Sequence, residues 1–460
     1  MHTIDLEIFG EDSVEKKEKY IIAVIGAGPA GLFAARQLAT DGVYVVIINR
    51  DIKPGGLAEY GIFPDKIKMK EGLRKQFKSI LDNPEIEYFG NISIGERRDL
   101  TLENLQRFGF QAILVTAGAQ GTKWLGLPGE EASRGVYHAK DIVYHYNKLP
   151  PYSEKEFYIG KRVALIGVGN VMMDIARWLS REKKVAEIIA VARRGPAEVK
   201  FDKKEMEYLI ANLDLAALDS EIDRVAPVMV AIGQDPQAAK EYILAAQSKA
   251  IEPVSNTKFR FDFLASPTRI LLNEDGIITG LEIANTTLVP VDGDTKAKTL
   301  WTKRVLDVDT VIFCIGDRVD DQFGLPMQWN EFVKNPNPRY PVDGISYEAY
   351  DPETGLPIQG IFVAGWSREA SSGLVGIARK DGERGALAIR QYLESMQPAK
   401  NIDEILDKFH NRLSRLDKPI VTKDHLPGLE KAEKEEAVKL GLEDFKFSTN
   451  IEMLKIMGLM

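Results

Sequence analysis

Residues 20–48 read YIIAVIGAGPAGLFAARQLATDGVYVVII. A β-rich run over 20–25 meets Gly26, a helical pattern through Leu32, Ala35 and Leu38 follows, and a second β-rich run spans 43–48. Strand, tight turn, helix and strand make half of a dinucleotide-binding fold. The turn is Gly26-Ala27-Gly28-Pro29-Ala30-Gly31. In such a turn the first glycine permits the bend, the second lets backbone approach a pyrophosphate, and the third lets helix pack close to strand. The amino end of the helix then offers unpaired N–H groups and a positive dipole to phosphates.

Where an acid ordinarily ends the second strand and takes the ribose hydroxyls, this chain has Asn49, followed by Arg50. Asparagine can donate to or accept from a ribose without charge. Arg50 faces either the adenosine end or solvent. Pro54-Gly55-Gly56-Leu57 comes next, then Tyr60-Gly61-Ile62-Phe63-Pro64. Paired glycines let the chain fold back close to a cofactor, with apolar residues to cover a flat ring; an ordinary glycine turn is the other reading. A third strand is expected over 113–116, ending in Ala117 and Gly118.

The plan then repeats. Strand 163–166, glycine turn 167–170, helix 171–179 and strand 187–191 form a second nucleotide unit. Gly167 and Gly169 keep the turn, but Met172 or Met173 stands where the third glycine would be, so the helix packs less tightly. Asn170 can cap the helix or bind a phosphate, with Val171 beside it. One strand later come Arg193 and Arg194, where NAD would want an acid for its free 2′-hydroxyl. An arginine fork suits a 2′-phosphate, so NADP is the predicted cofactor. Alternating strands and helices imply an α/β fold with two Rossmann-like dinucleotide-binding domains. Residues 311–315 read as a later strand of the second unit and 361–364 as one returning to the first. Residues 211–250 read as helical, 255–310 as an antiparallel β meander, and the tail from about 400 as a C-terminal extension with helices and a strand near 446–448.

The chain has 460 residues, with 60 Lys plus Arg against 68 Asp plus Glu and a formal charge of −8. That length fits two or three domains of the usual size. The acidic balance argues against nucleic acid as main partner. One cysteine, Cys314, excludes an internal disulfide, a CxxC redox pair or an iron–sulfur cluster held by this chain alone. His138 and His145 lack acidic helpers at zinc spacing, so no metal site is expected. No signal peptide and no apolar run near the ~20 residues of a membrane helix are visible, so a cytoplasmic protein without membrane insertion is expected.

Five stretches carry a family resemblance: IGAGPAG at 25–31, PGGLAEYGIFPD at 54–65, GVGNVMMDIAR at 167–177, RRGPAEVKFDKKE at 193–205 and AGWSREASSGLVG at 364–376. In order and spacing they resemble adrenodoxin-reductase-like ferredoxin–NADP reductases, flavoproteins related to glutathione reductase without its redox disulfide. The likeness spans about residues 20–395, and the tail also looks like that of bacterial members. The resemblance implies FAD in the first fold, NADP(H) in the second, hydride transfer between them, and single-electron exchange with a ferredoxin-type iron–sulfur protein or a flavodoxin. The domains expected are an FAD-binding one at 20–119 and 336–398, an NADP(H)-binding one with its insertion at 120–335, and an extension at 399–460; residues 1–19 read as a flexible or docking arm, or more simply as a frayed terminus. An alternative is the electron-input subunit of a larger iron–sulfur complex.

By the same resemblance, Gly26, Gly28, Pro29, Ala30 and Gly31 hold the FAD pyrophosphate, with Asn49, Arg50, Gly56, Leu57, Tyr60, Gly61 and Gly118 along the cofactor. Gly365 and Trp366 close over the flavin, and Gly373, Leu374 and Val375 present backbone to its edge. Gly167, Gly169, Asn170 and Val171 cradle the NADP phosphates, while Arg193, Arg194 and Glu205 form the 2′-phosphate pocket. Asp174, Trp366 and Lys66 are the candidate catalytic residues. Lys66 replaces a family histidine and keeps its charge without shuttling a proton near neutrality. Ala370-Ser371-Ser372-Gly373 replaces a Gly-Pro-Thr-Gly segment. Lys66, Lys68, Lys70, Arg74, Lys75 and Lys78, extended by Arg368 and Arg379, are a candidate basic face for an acidic partner, a solvated helix face being the other reading.

Overall fold

A computed structural model describes residues 18–132, 134–370 and 375–460. The expectations for Gly373, Leu374 and most of the amino-terminal arm lie outside these residues.

The β-branched runs become buried parallel strands. In chain order the strands of the first half are β1 (Ile21–Ile25), β2 (Tyr44–Ile48), β3 (Ile86–Gly90), β4 (Ala112–Val115), β5 (Val136–His138), β6 (Arg162–Ile166), β7 (Glu187–Val191) and β8 (Lys258–Asp262). After them come β9 (Ala265–Leu272), β10 (Ile278–Val291), β11 (Asp294–Leu306), β12 (Thr310–Phe313), β13 (Met327–Gln328), β14 (Glu331–Phe332), β15 (Glu348–Asp351), β16 (Leu356–Val363) and β17 (Val421–Thr422). The first sheet has the order β15-β16-β4-β1-β2-β3-β17 and the second β5-β12-β6-β7-β8. The second is parallel throughout; the first is antiparallel only at its rims, where β15 meets β16 and β17 meets β3. All five residues of β1 are buried, as a strand covered on both faces requires.

The helices are α1 (Pro29–Thr40), α2 (Leu57–Tyr60), α3 (Ile67–Leu81), α4 (Leu102–Phe108), α5 (Ala139–Tyr146), α6 (Asn170–Trp178), α7 (Leu215–Ala231), α8 (Pro236–Leu244), α9 (Val375–Leu393), α10 (Ile402–Leu413), α11 (Leu426–Leu440) and α12 (Asn450–Ile456). Leu32, Phe33 and Leu38 of α1 and Ile389 and Tyr392 of α9 fill one face of the first sheet. Leu105 of α4 and Phe409 of α10 fill the other. β9, β10 and β11 form the expected meander, inserted between β8 and β12.

Two expectations need correction. No strand forms at 446–448; Lys446 there is a buried side chain that donates to the Glu59 and Asn147 carbonyls, and the tail instead adds β17 to the first sheet. The chain also re-enters the first core before residue 336, since Val319, Phe323, Leu325 and Phe332 already bury against Ile113 and Val363. The two crossings between units lie side by side: Gly121 N–H donates to Arg318 O at 2.8 Å and Arg318 N–H returns to Gly121 O at 3.2 Å.

Candidate functional site

The first glycine turn is built by close contact. A Cβ at Gly26, whose φ is +103°, would stand 2.5 Å from the Thr116 carbonyl oxygen, and one at Gly31 would overlap the Gly26 carbonyl. Around Gly28 nothing lies within 4 Å of such a Cβ. Gly28 is also the N-cap of α1, which has no side-chain cap and no acid in its first turn. Free amides beside an open backbone are a donor set suited to a pyrophosphate, so the residues present fit a dinucleotide. Pro29 and Ala30 are buried. Ala30 serves packing: a Cβ at Gly365 would come within 2.7 Å of its methyl, and one at Gly382 of α9 would overlap its carbonyl.

Asn49 does not face a ribose. It is 6% exposed, accepts from the Ala27 N–H at 3.0 Å and donates to Asp51 O, Lys53 O and the Tyr88 hydroxyl. With its amide consumed, it holds the turn shut from below. Arg50 bonds Asp51 and Gln120. The chain then folds back: Gly55 N–H donates to Ala27 O at 2.7 Å, and a Cβ at Gly56 would stand 3.0 Å from Gly28 Cα. That close approach is what the paired glycines permit.

Tyr60 also departs from expectation. Its side chain is 2% exposed and packs on Tyr144 and Leu149 of the second unit, with the Lys446 ammonium over its ring. Leu57 is only partly buried and packs against this cluster, and Gly61 closes α2. Two of the cations predicted for a basic face on α3 are turned inward. Lys70 is 1% exposed and Arg74 pairs with Glu59 and Asp444. Glu59 also receives Lys53 and Lys446, and Lys53 reaches Glu433 at 2.6 Å. Burial pushes the Lys70 amine down to about 8. Helical spacing put these cations on one face, but the tail supplies Glu433 and Asp444 to cover them. Lys68, Lys75 and Lys78 remain exposed.

Behind the first cradle stands Asp381, a residue the sequence reading missed. It accepts from the Gly365 N–H at 2.6 Å, the Tyr347 hydroxyl at 3.0 Å and the Arg368 guanidinium. Arg368 is therefore internal, and Arg379 pairs with Glu383 and covers Phe33. Neither extends a basic face. Ser367, fully buried, accepts from the Gly118 N–H at 3.0 Å and ties the Trp366 turn to the end of β4. Trp366 is half-buried, and Val375 opens α9.

The second turn repeats the first in outline. A Cβ at Gly167, with φ +120°, would stand 2.5 Å from the Cys314 carbonyl oxygen, while Gly169 faces open space and caps α6 without a side-chain bond. Met172 and Met173 are both buried in the second core. Asn170 is not the cap; it donates to the Asp202 carboxylate at 2.9 Å and accepts from the Asp202 N–H at 2.7 Å. Val171 is 42% exposed at the open mouth. Arg193 is exposed, Arg194 lies 3.8 Å from Asp294, and Lys200, Lys203 and Lys204 are exposed on the same loop. Free helix amides and these cations fit a nucleotide with an extra phosphate.

Glu205 does not join the arginines. It takes Lys66 at 2.9 and 3.0 Å. Burial opposes the Lys66 charge, but Glu205 and Asp174 outweigh it and hold its pKa above the ordinary value. Burial pushes the Asp174 carboxyl up to about 7, with Lys66 opposing the rise and Glu205 adding to it. Nearby, Arg177 of α6 bonds Asp65 and lies between the rings of Phe63 and Tyr208, at 4.2 and 3.4 Å from their centroids. Thus residues 54–66 begin against the first cradle and end on the helix of the second. Arg177 was missed because a mid-helix arginine reads as solvated until its partners are known.

A protein-family model described as pyridine nucleotide-disulphide oxidoreductase matches residues 20–215. The NADPH-ferredoxin reductase FprA of Mycobacterium leprae is 25% identical over 95% of this chain and 98% of its own length. The mitochondrial NADPH:adrenodoxin oxidoreductase of Arabidopsis thaliana is 26% identical over 84% of this chain and 86% of its own. The solved structure of Mycobacterium tuberculosis FprA in complex with NADPH superposes with a TM-score of 0.76 at 24% identity, covering 95% of this chain and 99% of that one, which shows the common fold. Motif order, two-unit architecture and near full-length likeness agree in making the chain similar to the adrenodoxin-reductase-like ferredoxin–NADP reductases.

Proposed function

We propose that this protein is an FAD-dependent oxidoreductase that exchanges hydride with NADP(H) and single electrons with a ferredoxin-type iron–sulfur protein or a flavodoxin. The observation that carries this reading is the pair of open glycines, Gly28 and Gly169, each at an uncapped helix start and linked by residues 54–66. Bound flavin would supply the conversion between two-electron and one-electron chemistry. The chain's own residues bind and orient. The first turn of α1 holds the FAD pyrophosphate, Asn49 and Gly55 fix that turn, and Asp381 fixes the Gly365–Ser367 turn that would cover the ring. The first turn of α6 holds the NADP(H) pyrophosphate, and Arg193 and Arg194 hold the 2′-phosphate. Lys66 and Glu205 neutralise each other beside Asp174, whose carboxyl burial raises to about 7. Hydride transfer itself asks no proton of them.

Among the described residues no helix is long and apolar enough to cross a membrane, and we place the protein in the cytoplasm, where a lone buried thiol such as Cys314 stays reduced. An acidic partner does not dock on α3 residues 70 and 74, which are neutralised internally.

Purified protein is expected to be yellow and to bleach anaerobically with NADPH. Arg194→Ala should raise the KM for NADPH about tenfold or more and leave that for NADH unchanged. Equal effects on the two nucleotides refute the 2′-phosphate assignment. Bleaching without electron delivery to added ferredoxin or flavodoxin favours a dedicated complex instead.

A further inference from the structure

The inserted meander packs directly on the arginine loop. The carbonyls of three consecutive loop residues are each taken by it or by the turn leading into it. Ala192 O accepts from the Ala265 N–H at 2.9 Å, Arg193 O from the Thr286 hydroxyl at 2.6 Å, and Arg194 O from the Leu264 N–H at 3.2 Å. Thr286 is 3% exposed, and its own N–H donates to Leu264 O at 2.8 Å, so one residue of β10 bonds Arg193 directly and Arg194 through Leu264. The ladder to β11 slips register between Ala284 and Thr286, beside this bond. Leu288, two residues on, lies close beneath Gly195. The Arg193 side chain is exposed and that of Arg194 partly so, its guanidinium 3.8 Å from Asp294 at the start of β11.

We propose that Thr286 is a positioning residue for 2′-phosphate recognition, its hydroxyl fixing the peptide between Arg193 and Arg194 so that both guanidinium groups point at one phosphate. The inference rests on the reading that these arginines receive the 2′-phosphate. Bidentate recognition depends on orientation, and rotating the 193–194 peptide swings both side chains. The meander is thereby a specificity element of the second nucleotide site.

The test is calorimetric titration of the flavin-loaded protein with 2′,5′-ADP and with 5′-AMP, which differ only in the 2′-phosphate. Thr286→Val keeps the shape and removes the donor; Thr286→Ser keeps the donor. Thr286→Val is expected to raise the Kd for 2′,5′-ADP about threefold to tenfold, the worth of one buried hydrogen bond, and to leave 5′-AMP unchanged. Thr286→Ser should bind both as the parent does, and KM for NADPH should follow without change in kcat. If Thr286→Val does not fold, Thr286→Ala is read the same way. Equal weakening of both probes, or no change in either, overturns the proposal. Should Arg194→Ala leave 2′,5′-ADP binding intact, the arginine assignment itself fails and the positioning role with it.

Discussion

At the first cradle Gly26, Gly31 and Gly382 are each pressed against backbone, and Asn49 and Gly55 both bond Ala27. At the second, Gly167 alone is pressed in this way, a methionine takes the place of a tight third glycine, and the mouth is crossed by one side-chain clip, Asn170 with Asp202. The first is held by strand ends, a returning loop and α9 together; the second is closed by the Asn170–Asp202 pair and one backbone bond, Lys200 N–H to Val168 O at 2.8 Å. That difference suits a group that stays in the first site and one that comes and goes in the second.

The largest effect should separate packing glycines from contact glycines. Gly31→Val drives a side chain into the Gly26 carbonyl, and the protein is expected to be insoluble or colourless. Gly169→Ala meets open space, so it should fold, stay yellow and bind NADPH several-fold more weakly. A yellow, soluble Gly31→Val protein would break the contrast. Next comes Asn49→Asp. It replaces an amide that donates to two carbonyls with a buried carboxylate facing them. Thermal unfolding should show a loss of roughly 3 kcal/mol. Tighter FAD binding in that variant would mean that the side chain does reach the ribose.

The smallest effect concerns Asp174, between the cradles. Its folded value of about 7 lies above the ordinary 3.8, so the folded state binds the proton more tightly. The associated stability is complete below about pH 4 and is lost as pH rises through 7. Asp174→Asn has no such proton to lose. Its melting temperature should exceed the parent's by a few degrees at pH 8 and match it near pH 4. A pH-independent difference would show that the carboxyl is ionised throughout.

Much of the fold could be read from the chain because strand and helix periods are local. The runs at 163–166 and 187–191, the helical stretch after Ala211 and the antiparallel meander within 255–310 all appear where the pattern put them. The glycine cradles were legible because each glycine answers a backbone constraint. Side-chain destinations were not. Lys70 and Arg74 read as a surface until residues about 370 positions later cover them. Glu205 is sequence-near the arginines yet pairs across the cleft with Lys66. Asp381 sits in an exposed-looking run, Lys380-Asp381-Gly382, and becomes a half-buried acceptor only because α9 lies against Gly365.

The β17 strand and Lys446 have a consequence for how the two units are joined. The second parallel sheet is drawn from one uninterrupted stretch, residues 136–313. The first sheet takes residues 421–422 at its rim, and Glu59 takes Lys446. The tail thus completes the first sheet at its rim and the ion pairs at Glu59, and it also bonds the second unit at Asn147, so one segment fastens both units together.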